Sequence, residues 1–445
     1  MDVVTYDDVF FKFQERVINH IIFENVTSID PQVFSVYPNL MTITFSDSKI
    51  TSIGEKAFSC CRNVKTIEIP NSVNYIGSEA FSYCENLVSF TFQDNIELEK
   101  IENKLFSYCS NLQSIVIPAS VKEIGTGSFA VCKNLISVTF PEGIKLTKLC
   151  TEAFFSCFKL QSITIPPAVN EIGSHVFQNC NDLKSIINFE KLKIDKIDEE
   201  SFWNCYNITS ITIPASVEKI GHHAFHSCIS LETLDFTKGA KLKTIGYAAF
   251  CECSKLQSFV IPSSVREINN SLFLMCTELK RVTILCDVSL IPMFTFSCCE
   301  NLTTICYFGT VVPEIEEFAF ENCFNLKTVY VPGAYRGNDF GGFNVVKVSD
   351  IPDICPMIEG EDFQLAEESK SNQAAMFGAI GSILAVMLIG VTIFIIKHVG
   401  YREDIIDDNL EGFDNEIQDK ERIDYENPLY NPKDEKDDPF HEDFD

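Results

Sequence analysis

A phenylalanine returns every 23 to 25 residues through most of this chain: Phe34, Phe58, Phe81, Phe106, Phe129, Phe154, Phe177, Phe202, Phe225, Phe250, Phe273, Phe296 and Phe320. Thirteen such copies rule out an ordinary partition of 445 residues into globular domains. Each copy is too short to bury its own apolar face and must cover it with its neighbours. From Phe81 to Phe273 the interval alternates between 25 and 23 residues, so a longer turn such as FPEGIKLTKL alternates with a shorter one such as IPASVKEIG. The larger unit is a pair.

Within one copy, FSYCENLVSFTF (Phe81 to Phe92) places Leu87, Phe90 and Phe92 in the register L-x-x-I-x-I, which predicts a short strand with alternate side chains directed inward. A second apolar pair, Val121 and Ile124 in one copy and Val217 and Ile220 in another, predicts a shorter strand on the opposite wall. Pro70, Pro118, Pro166, Pro214 and Pro262 close the first strand in the short copies, where a residue without an N–H sits outside the ladder. The glycine after the second pair, as in Gly77 and Gly125, suits a tight turn. The fold class expected is a β-rich leucine-rich-repeat solenoid of about 13 stacked repeats over residues 24–332, with residues 1–23 as an N-terminal cap.

The recurring pattern A-F-x-x-C-x-N-L-x-S-I-x-I-P-x-S-V-x-x-I-G closely resembles the BspA-like, Treponema-type leucine-rich repeats of mucosal bacteria and trichomonad-type protozoa. The resemblance implies a surface protein that attaches to host cells, matrix or other microbes. Members with a single C-terminal span and a short cytosolic tail are of the protozoan type, in which a recognisable leader is commonly absent.

Twelve of the nineteen cysteines occupy one repeat position: Cys61, Cys84, Cys109, Cys132, Cys157, Cys180, Cys205, Cys228, Cys253, Cys276, Cys299 and Cys323. Tyr37 takes that place in the first copy, so the position calls for a buried side chain, and cysteine is expected there as a small hydrophobe with a free thiol. Stacked side chains point in parallel and not at one another, which disfavours disulfides along the ladder. The other seven are Cys60, Cys150, Cys251, Cys286, Cys298, Cys306 and Cys355, and no C-x-x-C pair occurs.

Residues 333–373 lose the period and are expected to form a C-terminal cap followed by an acidic stalk. The 23 uncharged residues 374–396 would rise roughly 35 Å as a helix, enough to span a bilayer. Lys397 and Arg402 follow the span directly, whereas Lys370 precedes it among Glu367 and Glu368, so the positive-inside bias places the C-terminus in the cytosol. The first twenty residues show neither a basic leader nor an apolar h-region. Ala374, Gly378 and Ser382 recur every fourth residue and offer a homodimer contact between spans.

Residues 397–445 carry eighteen acidic and six basic side chains, a composition expected to stay disordered. Within this tail Asn427, Pro428, Leu429 and Tyr430 form an N-P-x-Y turn like that of integrin and endocytic-receptor tails, read by phosphotyrosine-binding-type domains. Asp438, Pro439 and Phe440 resemble the D-P-F signal bound by clathrin adaptors.

With a formal charge of −28 and no basic cluster, nucleic acid is an unsuitable partner. No nucleophile elbow, phosphate loop or paired carboxylates stand outside the periodicity, so no catalytic residue, cofactor or metal is expected. The histidines of GHHAFHSC, His222, His223 and His226, together with His175 two copies earlier, read as members of a solvated turn. A ligand platform is expected on the outward column of the first strand: Glu68, Thr91, Val116, Thr139, Thr164, Ile187, Thr212, Asp235, Val260, Thr283, Cys306 and Tyr330, beside the hydroxyl column Ser89 to Ser210. Sequons stand at Asn25, Asn207, Asn269 and Asn301. Two functions remain: a plasma-membrane adhesin or receptor with the solenoid outside, binding protein or glycan, and an intracellular-membrane scaffold with the solenoid in the cytosol.

Overall fold

A computed structural model describes residues 19–358, apart from 24, 25, 36 and 46–48. The candidate span, the acidic tail and most of the N-terminal cap lie outside the described residues. Among the described residues no helix is long and apolar enough to cross a membrane.

Each copy forms one coil of a β-solenoid of about thirteen turns. The longer strands run through Thr66–Ile69, Ser89–Phe92, Ser114–Val116, Ser137–Thr139 and their successors to Thr328–Pro332. They pair in parallel with zero slip in repeat position, so Ile67 meets Phe90 and Glu68 meets Thr91. The shorter strands, such as Lys100–Ile101, Glu123–Ile124 and Lys148–Leu149, form a second parallel ladder. One residue of each short pair is buried and its neighbour faces outward.

The A-F-x-x-C stretch makes a third wall from overlapping turns. The N–H groups of Ala57, Ser59 and Cys61 close turns onto the carbonyls of Gly54, Lys56 and Phe58, while those of Lys56, Phe58 and Cys60 donate to Ser78, Ala80 and Ser82 of the next coil at 2.8–2.9 Å. Alternate donors thus serve the coil and the stack, and none is left over. Two residues in each such turn adopt positive φ, as Lys56 and Cys60 do, or His223 and Ser227.

Thirteen phenylalanine rings stack through the centre with neighbouring centroids 5.0–6.3 Å apart. Beside them all twelve ladder cysteines are free and buried. Every one donates its thiol to the phenylalanine carbonyl one coil back, for example Cys84 to Phe58 at 3.4 Å and Cys157 to Phe129 at 3.2 Å. The side chain is therefore more than the small hydrophobe expected. It fills the space and also gives the phenylalanine carbonyl, which already accepts an N–H within its own turn as Phe58 does from Cys61, a second hydrogen bond. Burial pushes the thiol of Cys61 up to about 12, and its neighbours also move up.

Glycine after the second strand plays a part different from the tight turn expected. Gly77 has no positive φ, and a Cβ there would stand 2.5 Å from the Glu55 nitrogen of the coil before. Close approach of successive coils is what excludes a side chain.

The last coil is closed by a hairpin. Phe343–Val348 adds in parallel to Thr328–Pro332, and Asp339–Phe340 folds antiparallel onto it, the only antiparallel pairing among the described residues. A two-residue strand is then the terminal edge, which limits further pairing.

Candidate ligand surface

Alternation along the long strands sends one column of side chains away from the core, and backbone pairing brings its members to a common face. Over the earlier coils that face is open. Glu68, Thr91, Val116, Thr139, Thr164 and Ile187 are all exposed, Val116 and Ile187 at 60% and 49%. The serines beside them, Ser89, Ser114, Ser137, Ser162, Ser185 and Ser210, are exposed too, in register with one another where strands pair. The surface carries hydroxyls and short apolar side chains, with Glu68 as its one charge up to Ile187.

The later coils differ. Asp235 remains exposed and Thr212 is half-buried, but Val260, Thr283 and Cys306 are buried and Tyr330 is half-buried. Residues 349–358, part of the stretch expected as the C-terminal cap, return over this face as a strap. A disulfide joins Cys355 to Cys306, with Cα atoms 5.9 Å apart. Two and three residues further, Met357 and Ile358 line a pocket of about 310 Å³ with Thr212, Leu234, Asp235, Phe236, Lys238 and Val260. The strap thus runs from the twelfth coil back toward the ninth, above Thr283. That residue's hydroxyl is buried without a hydrogen-bond partner. The platform expected from sequence is thereby shortened at Thr283 and Tyr330, because the chain's own C-terminal extension covers one and the hairpin strand carrying Val346 flanks the other.

One signal in the sequence marked the strap: Cys306 is the single cysteine of the outward column, and Cys355 stands alone outside the repeats.

The histidine turn also departs from expectation. His222 is exposed, but His223 and His226 are half-buried against Trp203, with ring centroids 5.5 and 5.2 Å away. Burial moves both imidazoles below their ordinary range. His175 is set differently: its Nδ1 lies 3.2 Å from Glu200, which raises it.

Of the sequons, Asn207 and Asn301 are exposed and Asn269 is half-buried, and Asn25 lies outside the described residues. Asn207 and Asn269 donate their amides to the preceding coil, to the carbonyls of Asn181 and Ile245. The adaptor motifs around Tyr430 and Phe440 lie outside the described residues.

The profile of the BspA type leucine rich repeat region matches in six copies, over residues 6–101, 99–232 and 218–336. This chain belongs to the BspA-type leucine-rich-repeat family. It is similar to a leucine-rich repeat protein from Bacteroides ovatus at 23% identity, covering 72% of this chain and 92% of that one, with a TM-score of 0.44. A leucine rich cell surface protein from Faecalibacterium prausnitzii is similar at 23% identity over 74% of this chain and 89% of its own, TM-score 0.39. The leucine rich repeat protein of T. pallidum is similar at 24% identity over 48% and 77%, TM-score 0.30. No curated protein matches.

Proposed function

We propose that this chain is a single-pass surface adhesin or receptor whose solenoid stands outside the cell and binds a protein or glycan on a host cell, matrix or another microbe. Residues 374–396 cross the plasma membrane and 397–445 form the cytosolic tail, where Asn427, Pro428, Leu429 and Tyr430, with Asp438, Pro439 and Phe440, recruit an endocytic or cytoskeletal adaptor. The observation that carries the reading is the exposed column from Thr91 to Ile187. It holds apolar and hydroxyl side chains out in water on a rigid backbone, as interaction surfaces do.

The disulfide between Cys306 and Cys355 favours the exterior placement over a cytosolic scaffold, because the cytosol keeps such pairs reduced. The free ladder thiols do not oppose it: sealed in the core, they are protected from either environment.

The test is cell-surface display of the full chain with Thr139 and Thr164 replaced together by Glu. Attachment to host cells or matrix should fall at least about tenfold while display level and unfolding stay unchanged, since both side chains lie exposed on the outward face. Unchanged attachment overturns the platform. A solenoid that protease cannot remove from intact cells overturns the exterior placement.

A further inference from the structure

The third wall of the solenoid brings the side-chain tips of successive coils into contact by construction. Where serines follow one another the hydroxyls pair, as Ser59 and Ser82 do at 2.9 Å. Two coils depart from this in a chemically pointed way. In the position just after the core phenylalanine, His226 is followed one coil later by Cys251, and Glu252 stands next to it. One ligand atom from each of these three residues lies within 4.8 Å of the other two.

We propose that His226, Cys251 and Glu252 bind one divalent transition-metal ion of the zinc class, clipping the ninth coil to the tenth. The donor set is imidazole, thiolate and carboxylate, which suits a borderline-soft ion and disfavours calcium or magnesium, whose sites are built from oxygen. Zinc-bound atoms stand about 3.3–3.8 Å apart, so side-chain adjustments that close the widest separation by about 1 Å complete such a triangle.

The surroundings agree with that use. Desolvation holds His226 neutral, the form that ligates a metal. Burial and the adjacent Glu252 carboxylate push the Cys251 thiol up to about 12. Binding therefore displaces a proton, and the cation compensates the thiolate that the pocket otherwise resists. Ser227 donates to Glu252 at 2.7 Å and orients the carboxylate. The Nδ1 of His223 is 3.4 Å from Nδ1 of His226, and Trp203 packs edge-on against the His226 ring. These neighbours position the ligands without joining them. With three protein ligands, the fourth place is left to water on the half-exposed side.

Trp203 is the chain's single tryptophan, which makes the site directly readable. The full chain in detergent, stripped by a chelator, is titrated with Zn²⁺ and separately with Co²⁺. One equivalent of Co²⁺ should bind, with a thiolate-to-cobalt charge-transfer band and quenching of Trp203 fluorescence, and Zn²⁺ should displace it. Cys251→Ser should abolish the band, while His226→Gln and Glu252→Gln weaken binding by well over tenfold with circular dichroism unchanged. His223→Ala should weaken it only about tenfold and keep the band at saturating metal, as a positioning residue would. Cys60→Ser and Cys298→Ser, at the two half-buried thiols elsewhere on this wall, should change nothing. The proposal is overturned if the wild type shows no band, if band and quenching persist in Cys251→Ser, or if Cys298→Ser removes them. Should Cys251→Ser fold poorly, unaltered binding in both His226→Gln and Glu252→Gln would overturn it equally.

Discussion

The same outward column has two fates along one solenoid. From Glu68 to Ile187 it is exposed, and from Val260 to Cys306 it is buried under residues that follow the last coil. Backbone register does not distinguish the two stretches, since Thr283 meets Cys306 across the same parallel ladder by which Glu68 meets Thr91. What differs is a ten-residue strap and the disulfide that pins it. A repeat protein can thus regulate how much of its uniform face is available by a segment that has no period of its own, and the binding surface need not be as long as the stack.

The largest test of this contrast is removal of the pin. The disulfide closes a loop between residues 49 apart, for which chain entropy gives about 4 kcal/mol, so Cys355→Ser should cost about 2–4 kcal/mol in an unfolding titration. Its footprint should be local, with the column at Val260 and Thr283 becoming reactive to hydroxyl radicals while Thr139 and Thr164 stay as reactive as before. Thiol counting checks the pin itself. Unfolding without reductant should expose seventeen thiols to alkylation and reductant should release two more. Nineteen labels without reductant would mean that the strap is not covalently held.

The contrast sharpens with one substitution made twice. Thr283→Val removes a hydroxyl that is buried without a hydrogen-bond partner and should stabilise by about 1 kcal/mol. Thr164→Val, in the same column on the open stretch, should change stability by less than about 0.5 kcal/mol. Equal effects at the two positions would mean that the strap does not seal the sheet.

These two threonines also show what sequence makes legible. Periodicity reported what the coils share: the phenylalanine stack, the buried cysteine column and the two strands, with the proline that ends the first strand in the short copies. Such features are local and repeated, so a pattern of 23 to 25 residues carries them many times over. Contacts made once carry no such redundancy. Nothing in the period links Cys306 to Cys355, and the outward position of Thr283 is read correctly while its burial depends on a segment from elsewhere in the chain. The group of His226, Cys251 and Glu252 was hidden for a related reason: counted along the chain His226 stands 25 residues before the adjacent pair Cys251 and Glu252, and only the stacking of one coil on the next makes them neighbours. The cysteine column was read for its size, whereas the thiol's bond to a phenylalanine carbonyl needs coordinates to be seen.

The smallest expected effect lies on the turn wall, where the comparison between open and covered recurs within one column. His223 sits beside Trp203, while His175, two coils earlier, stands beside Glu200. The bond to Glu200 raises His175 above its ordinary value, with Gln178 and Glu152 adding to it and partial burial opposing. A raised value in the folded state means that the pair's contribution is fully present below the ordinary histidine range, near pH 6.5, and is lost as pH rises through the elevated value. Both side chains are about a quarter exposed, so the contribution should remain below about 1 kcal/mol. Unfolding free energies measured at pH 5.5 and pH 8 should therefore differ between the full chain and His175→Gln mainly at the acidic end, with the variant the less stable there. A deficit that appears only at pH 8 would have the wrong sign and would place His175 with His223, among the histidines that burial keeps neutral.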